Sequence, residues 1–272
     1  MEKILERLER SLRWTLLAPD SARLPAAMTR RASAVHPQLL HALQAARVAV
    51  FGLDDSEEHE PVRTTDRAAW HFIATDGEGK PVGAMRLFIV DRRHEPLEPP
   101  DVLAFGHVAF PCPATRDSHL RALKGLFAQK AEETTYIYAG GFFTTEKWRG
   151  SGLAAALGMA AIAMARLHHC RFAASFVSAR DRAPELFALL GSLPLQDADG
   201  SVLPPFFCSR HGFPLQLMAF DSLRPDPKME HGVDAMVGRM REMLVITPPC
   251  SAPAGPSQHG RLQPSQPDSC VR

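Results

Sequence analysis

The tetrad Arg149-Gly150-Ser151-Gly152 separates ten strand-forming residues from a charge-free helical run, and that juxtaposition can hold an anion. From Tyr136 to Thr145 every residue but Ala139 is β-branched, aromatic or glycine, which predicts a strand; the paired Gly140-Gly141 suits a bulge or a close backbone approach. Between Gly152 and Ala165 there is no charge, and Leu153, Leu157, Ala160, Ala161 and Met164 recur at helical spacing. A strand feeding a helix through glycines gathers free backbone N–H groups and the positive end of a helix dipole in one place, and such a place binds phosphate. The competing reading is a tight strand-to-helix turn without a ligand.

A dinucleotide fingerprint would need three spaced glycines and an acidic residue roughly 20 positions on, near the next strand end, and Ala173 to Val177 offers none. Arg149-Gly150-Ser151-Gly152-Leu153-Ala154 instead resembles, in its Arg-x-x-Gly-x-Ala form, the pyrophosphate-binding turn of the GNAT superfamily of N-acyltransferases. The resemblance implies a mixed α/β fold with a central, mostly antiparallel twisted sheet, splayed central strands and flanking helices. It implies a phosphopantetheine thioester, acyl-CoA or acyl carrier protein, as co-substrate and no metal. That thioester would be held by Phe143, Thr144, Thr145, Arg149, Gly150, Ser151, Gly152, Leu153 and Ala154.

Acyl transfer to an amine needs the neutral amine in line with the thioester and a donor at the developing oxyanion. The resemblance assigns that donor to the backbone of Phe143, Thr144 or Thr145. Many family members also carry a carboxylate base on the central strand and a tyrosine acid on the helix after the fifth strand; here Phe187 stands where that tyrosine would lie. Tyr138, Thr144 and Glu146 are then the catalytic candidates, and His107 could approach if Val102 to Phe110 pairs in the sheet. For Glu146 a solvated turn residue is the competing reading.

A closer resemblance lies within the superfamily. Arg47-Val48-Ala49-Val50-Phe51, then Asp66, then Val82-Gly83-Ala84-Met85-Arg86-Leu87 resemble elements of the long-chain N-acyl amino acid synthases and the acyl-homoserine-lactone synthases. The later Leu203-Pro204-Pro205-Phe206-Phe207, Arg210-His211-Gly212-Phe213 and Phe220-Asp221-Ser222-Leu223-Arg224-Pro225-Asp226-Pro227 look more like the acyl-amino-acid branch, and the second helix lacks the acidic cluster of a lactone synthase. This resemblance makes Arg47, Asp66 and Arg86 substrate-binding residues, arginine being suited to a carboxylate; internal ion pairing is the alternative for both arginines. The implied partners are a small-molecule amine, an amino acid among the candidates, and an acyl carrier protein as one of the two donors. A plain acetyl-CoA-dependent acetyltransferase and a non-catalytic acyl-CoA or carrier-protein sensor stay open.

Composition narrows the field. Among 272 residues, 45% are hydrophobic, enough for one sizeable core. The 31 basic and 30 acidic side chains leave a net charge of +1, so nothing general draws the chain to nucleic acid, and any anion site must be local. Five cysteines without CxxC spacing read as reduced thiols of a cytoplasmic protein. The charged start Met1-Glu2-Lys3-Ile4-Leu5-Glu6-Arg7 lacks the apolar core of a signal peptide, and no run approaches the roughly 20 apolar residues of a membrane span. His168-His169-Cys170 could suggest a metal, but adjacent helical residues point apart, which favours a surface histidine pair.

The elements that must position these residues follow from periodicity. Ile4, Leu5, Leu8, Leu12 and Leu16 predict an amphipathic helix from Met1 to Leu17, and residues 1–34 read as that helix and a linker. The acyltransferase-like domain then spans 35–246. It holds a helix from Pro37 to Phe51 and a hairpin of Trp70-to-Thr75 and Pro81-to-Val90 around Asp76-Gly77-Glu78-Gly79. A helix from His119 to Glu133 leads to the central strand and the alanine-rich helix. A strand from Arg171 to Val177, a helix from Pro184 to Gly191, a strand from Phe213 to Phe220 and a helix over 228–245 follow. Residues 247–272, rich in Pro, Ser and Gly, read as a disordered tail.

Overall fold

A computed structural model describes residues 2–19, 25, 28–52, 66–91, 108–130, 132–133, 135–180, 182–220 and 225–249. In chain order the elements are α1 (Glu2–Glu9), β1 (Arg13–Leu17), β2 (Thr29–Ala32), α2 (Val35–Phe51), β3 (Trp70–Thr75), β4 (Pro81–Asp91), α3 (Pro113–Gln129) and β5 (Thr135–Thr144). A 3-10 turn (Glu146–Trp148) leads to α4 (Leu153–Leu167), β6 (Ala173–Ser178), α5 (Ala183–Leu189), β7 (Ser192–Pro194), β8 (Phe206–Cys208), β9 (Phe213–Phe220), α6 (Pro227–Glu242) and β10 (Leu244–Thr247). The ten strands form one sheet in the order β2-β10-β1-β3-β4-β5-β6-β9-β7, with β8 also on β9. The pairings β1–β10, β10–β2 and β5–β6 are parallel and the other six antiparallel, so the sheet is mixed.

Side chains alternate between two covered faces. Leu16, Phe72, Met85, Leu87, Ile137 and Val177 pack with α1, α4 and α6 on one face. On the other, Leu17, Ile73, Ala84 and Phe143 meet α2, while Phe88, Tyr136, Tyr138 and Leu217 meet α3. Because α4 lies between the sheet and α6, it is apolar nearly all round, which is why its sequence carries no charge before Arg166. The hairpin forms as expected, with β3 and β4 paired around residues 76–80.

Two expectations are overturned. The predicted helix to Leu17 ends at Glu9, and Arg13–Leu17 is a strand. There it gains hydrogen-bonded neighbours on both sides, β10 and β3, and stacks Trp14 on Phe72 at 5.2 Å; a helix would forfeit both. The predicted final helix over 228–245 likewise stops at Glu242, because Leu244-Val245-Ile246-Thr247 is mostly β-branched and bridges β1 to β2. Both errors share a cause: pairing partners more than 200 residues apart leave no local trace. Residues 102–107, within the proposed short strand, and 250–272, within the proposed tail, lie outside the described residues, as does His107.

Candidate active site

The centre of the sheet opens at one point. Strands β5 and β6 pair in parallel only from Ile137 opposite Ala173 to Ala139 opposite Ser175. Past Ala139, β5 continues along β4 to Thr144, whereas β6 continues along β9 to Ser178, so a wedge-shaped cleft separates them. A bulge helps to turn β5 away: Gly141 and Phe142 together face Met85, between the pairs Gly140–Arg86 and Phe143–Ala84. Gly141 takes φ +57, and a Cβ there would lie 3.0 Å from the Arg47 guanidinium, so both backbone and neighbour demand glycine.

The cleft inherits a backbone donor. Thr145 gives its amide to the Val82 carbonyl at 2.8 Å. The alternation of an antiparallel ladder directs the Phe143 amide to β4 as well and leaves the Thr144 amide facing the cleft. Tyr138 lies buried where β5 and β6 part; its hydroxyl bonds with the Phe176 backbone, and burial pushes the phenol well above its ordinary pKa, so it stays protonated. Glu146 is exposed in the 3-10 turn, and Arg149 and Gly150 are exposed just after it.

At the end of β5 the chain turns into α4 through Gly150 (φ +74) and Gly152 (φ +92). Ser151 Oγ donates to the Trp148 carbonyl and accepts from the Leu153 amide. The amides of Gly152, Ala154 and Ala155 have no acceptor among the described residues, leaving an anion-binding concavity at a helix N-terminus. Helix α1 lies against this turn. Arg7 donates to the Ser151 carbonyl, and a Cβ on Gly152 would fall 2.5 Å from Ile4 Cγ2. Gly152→Val would therefore have to displace Ile4 of α1, and would strain a backbone at φ +92.

Arg47, Asp66 and Arg86, brought from α2, the segment before β3, and β4, meet in one buried cluster. Arg47 donates from Nη1 to Asp66 Oδ1 (2.6 Å), from Nη2 to His71 Nδ1 (3.2 Å) and from Nε to the Gly141 carbonyl (3.3 Å). Arg86 Nη1 reaches the same Asp66 oxygen at 3.1 Å, and Gln44 donates to Oδ2. Burial alone would raise the Asp66 carboxyl, but the two guanidiniums outweigh it and hold it well below the carboxylate range. His71 Nε2 donates to the Asp66 carbonyl at 2.7 Å, so its Nδ1 is the acceptor; burial, then the Arg47 charge, lowers its pKa to about 3. Two cations against one anion leave a surplus positive charge. Each nitrogen of Arg47 donates one bond, but Arg86 Nε is buried and has no partner among the described residues, its guanidinium 5.4 Å from the Phe88 ring centroid.

Sequence reasoning missed His71 and Gln44. The hairpin register carried a signal for the first, because it sets His71 directly opposite Arg86 on the same face. His211, in a quoted motif but given no role, pairs through Nδ1 with Cys208 Sγ at 3.1 Å between Phe51 and Phe213; burial, then Arg210 and Arg86, lower it to about 4. His168 is not a surface residue: its ring packs on Trp70 at 5.3 Å, and burial, then His169, lower it to about 4. Among the described residues no group of three His, Cys, Asp or Glu could hold a metal, and no helix is long and apolar enough to cross a membrane.

These three histidines set an acid limit on stability. Each is neutral when folded and titrates near 6.5 when unfolded, so its stabilisation is complete above about pH 6.5 and is lost as pH falls toward the folded values of about 3 to 4. Each should lose on the order of 1 kcal/mol by about pH 5.5. Thermal melts from pH 7.5 downward should show Tm falling across that window; a flat profile would show that the rings are not held neutral.

The sequence matches no family model and no curated protein sequence. In structure the chain is similar to BjaI, a CoA-dependent acyl-homoserine lactone synthase solved with SAM and isopentyl-CoA (16% identity, TM-score 0.48, covering 82% of this chain and 94% of that one). It is also similar to FeeM, an N-acyl amino acid synthase from uncultured soil microbes (12% identity, TM-score 0.46, 85% and 99%). A third similar structure is an acyl-CoA N-acyltransferase from Pseudomonas aeruginosa (16% identity, TM-score 0.43, 77% and 99%). At these identities the likeness concerns architecture alone.

Proposed function

We propose that the chain is an N-acyltransferase that moves an acyl group from a phosphopantetheine thioester, acyl-CoA or acyl carrier protein, to the amine of an amino acid. The observation that carries this reading is the succession, along Thr135 to Ala155, of a cleft between parted strands, an amide aimed into it and a concavity of unpaired amides at a helix start. Unpaired amides suit the diphosphate of the donor, and the cleft suits its extended pantetheine arm. In the reaction the amine nitrogen bonds to the thioester carbon and the C–S bond breaks; the ammonium must first lose a proton and the thiolate gains one. Thr144 N–H is placed to donate to the thioester oxygen, and Tyr138, kept protonated, to donate to sulfur. Glu146, exposed at the cleft end of β5, is assigned the exchange of the amine proton with solvent.

The amino acid follows from charge. A surplus buried cation with an unpaired Arg86 Nε favours an acceptor that brings a carboxylate, and arginine is the residue suited to one. Arg47, each of whose three nitrogens already donates to the protein, is assigned the task of holding the bulge and Asp66 in place.

The sensor reading has one observation in its favour: Phe187 is buried between Phe142 and Phe220, so α5 offers no tyrosine acid at that position. Purified protein incubated with acetyl-CoA or decanoyl-CoA and a panel of amino acids separates the possibilities by thiol release and product mass. Slow turnover with decanoyl-CoA, rising as pH deprotonates the amine, is expected. Turnover with acetyl-CoA alone would make it an acetyltransferase, and tight thioester binding without thiol release would make it a sensor.

A further inference from the structure

The face of the sheet that carries the Arg86 cluster continues past the cleft into an aromatic cage, and its polar member among the described residues is His119 of α3. The ring is 1% exposed. It lies edge-on to Phe206 at 4.9 Å, with Phe110 at 5.7 Å and Phe176 at 6.4 Å. Phe176 belongs to β6 just past Ser175, where the strand has left β5, so the cage forms one wall of the cleft. His119 Nδ1 donates to the Thr115 carbonyl at 2.8 Å, one helical turn back. That bond fixes the tautomer: Nε2 has no proton and is an acceptor only. It is also buried, and among the described residues it has no hydrogen-bond partner.

A bare acceptor among phenylalanines is an expensive choice. Leaving it unsatisfied forfeits the hydration of a polar atom, and leucine or phenylalanine would fill the same helical stripe as Ala122, Leu123 and Leu126 without that cost. The position is worth a histidine if the site's ligand brings the missing donor. Charge divides the cleft: the carboxylate-binding group is at Arg86, and the surroundings of His119 are apolar, suited to hydrocarbon. We propose that the aromatic cage receives the acyl chain, and that His119 Nε2 accepts a hydrogen bond from a hydroxyl on it, making hydroxyacyl thioesters the preferred donors. This rests on the acyl-transfer reading above. The chemistry is recognition only, so no bond changes at His119.

The asymmetry between gaining and losing such a bond sets the size of the effect. A site built to bond a hydroxyl rejects the analogue lacking it, because its own polar atom is then left unpaired. Decanoyl-CoA and its β-hydroxy and terminal-hydroxy derivatives are the probes, each compared by kcat/KM at saturating amino acid. Wild-type protein should prefer one hydroxylated donor over decanoyl-CoA by about tenfold or more. His119→Phe keeps an aromatic ring beside Phe206 but removes the acceptor; it should abolish the preference, read as the ratio of the kcat/KM values for the hydroxylated donor and decanoyl-CoA within the variant. His119→Gln, which restores an acceptor, guards against a packing effect and should recover part of the preference. Equal use of all three donors by the wild type, or an undiminished preference in His119→Phe, would overturn the proposal and leave His119 as an anchor of α3. Failure of every thioester to bind or react would instead bring down the acyl-transfer reading, and this proposal with it.

Discussion

Replacing Asp66 with asparagine is expected to destabilise the fold by roughly 3–5 kcal/mol. The carboxylate has no exposed surface and holds the guanidiniums of Arg47 and Arg86 at 2.6 and 3.1 Å. Asparagine preserves shape and can still accept one bond, but it leaves two buried cations facing each other without an anion, and like charges at that range repel. At about 2–4 °C per kcal/mol for a chain of this size, Tm should drop by roughly 6–20 °C. Combining the change with Arg86→Met removes one of the stranded charges, so the double variant should be more stable than the sum of the single losses predicts. Strict additivity, or an Asp66→Asn variant within 1 kcal/mol of wild type, would show that the three side chains are not coupled as described.

Arg86→Lys is expected to raise the KM for the amino acid by about 10- to 100-fold, which corresponds to about 1.4–2.8 kcal/mol of lost binding. Lysine keeps the charge but replaces a planar fork with a single ammonium. It can satisfy Asp66 or the incoming carboxylate, but it has no fixed geometry for both. The proposed donor site is the turn at the start of α4, which no Arg86 bond touches, so the Kd for coenzyme A should change little. The two roles of Arg86 separate cleanly in the data. If Tm falls and acceptor kinetics do not move, Arg86 serves Asp66 alone, and the amino-acid assignment loses its main physical support.

The local parts of this site were legible without a structure because their physics is local. Strand formers, the turn glycines Gly150 and Gly152 and an uncharged helix follow one another from Tyr136 to Ala165, and each signals itself within a few residues. The hairpin of β3 and β4 is equally self-contained, its turn fixing its register. What a sequence window cannot hold is pairing across long separations. Leu12 and Leu16 kept a helical stripe, yet β1 is a strand because β3 and β10 come to lie on either side of it.

The same limit governed the charges. The types at 47, 66 and 86 suggested a carboxylate site, but only the tertiary structure decided that Asp66 already neutralises one cation, that every nitrogen of Arg47 donates within the protein, and that Arg86 Nε has no partner among the described residues. His119 sat in plain view on the apolar stripe of α3; its significance required knowing that Phe110, Phe176 and Phe206 close around it and that nothing answers its Nε2. Sequence alone determined which residues could bind an anion or shape a turn, since propensity and backbone freedom belong to single residues and their neighbours. Which polar atoms are left unpaired once the chain is folded depends on every group brought near them, and only the fold sets that.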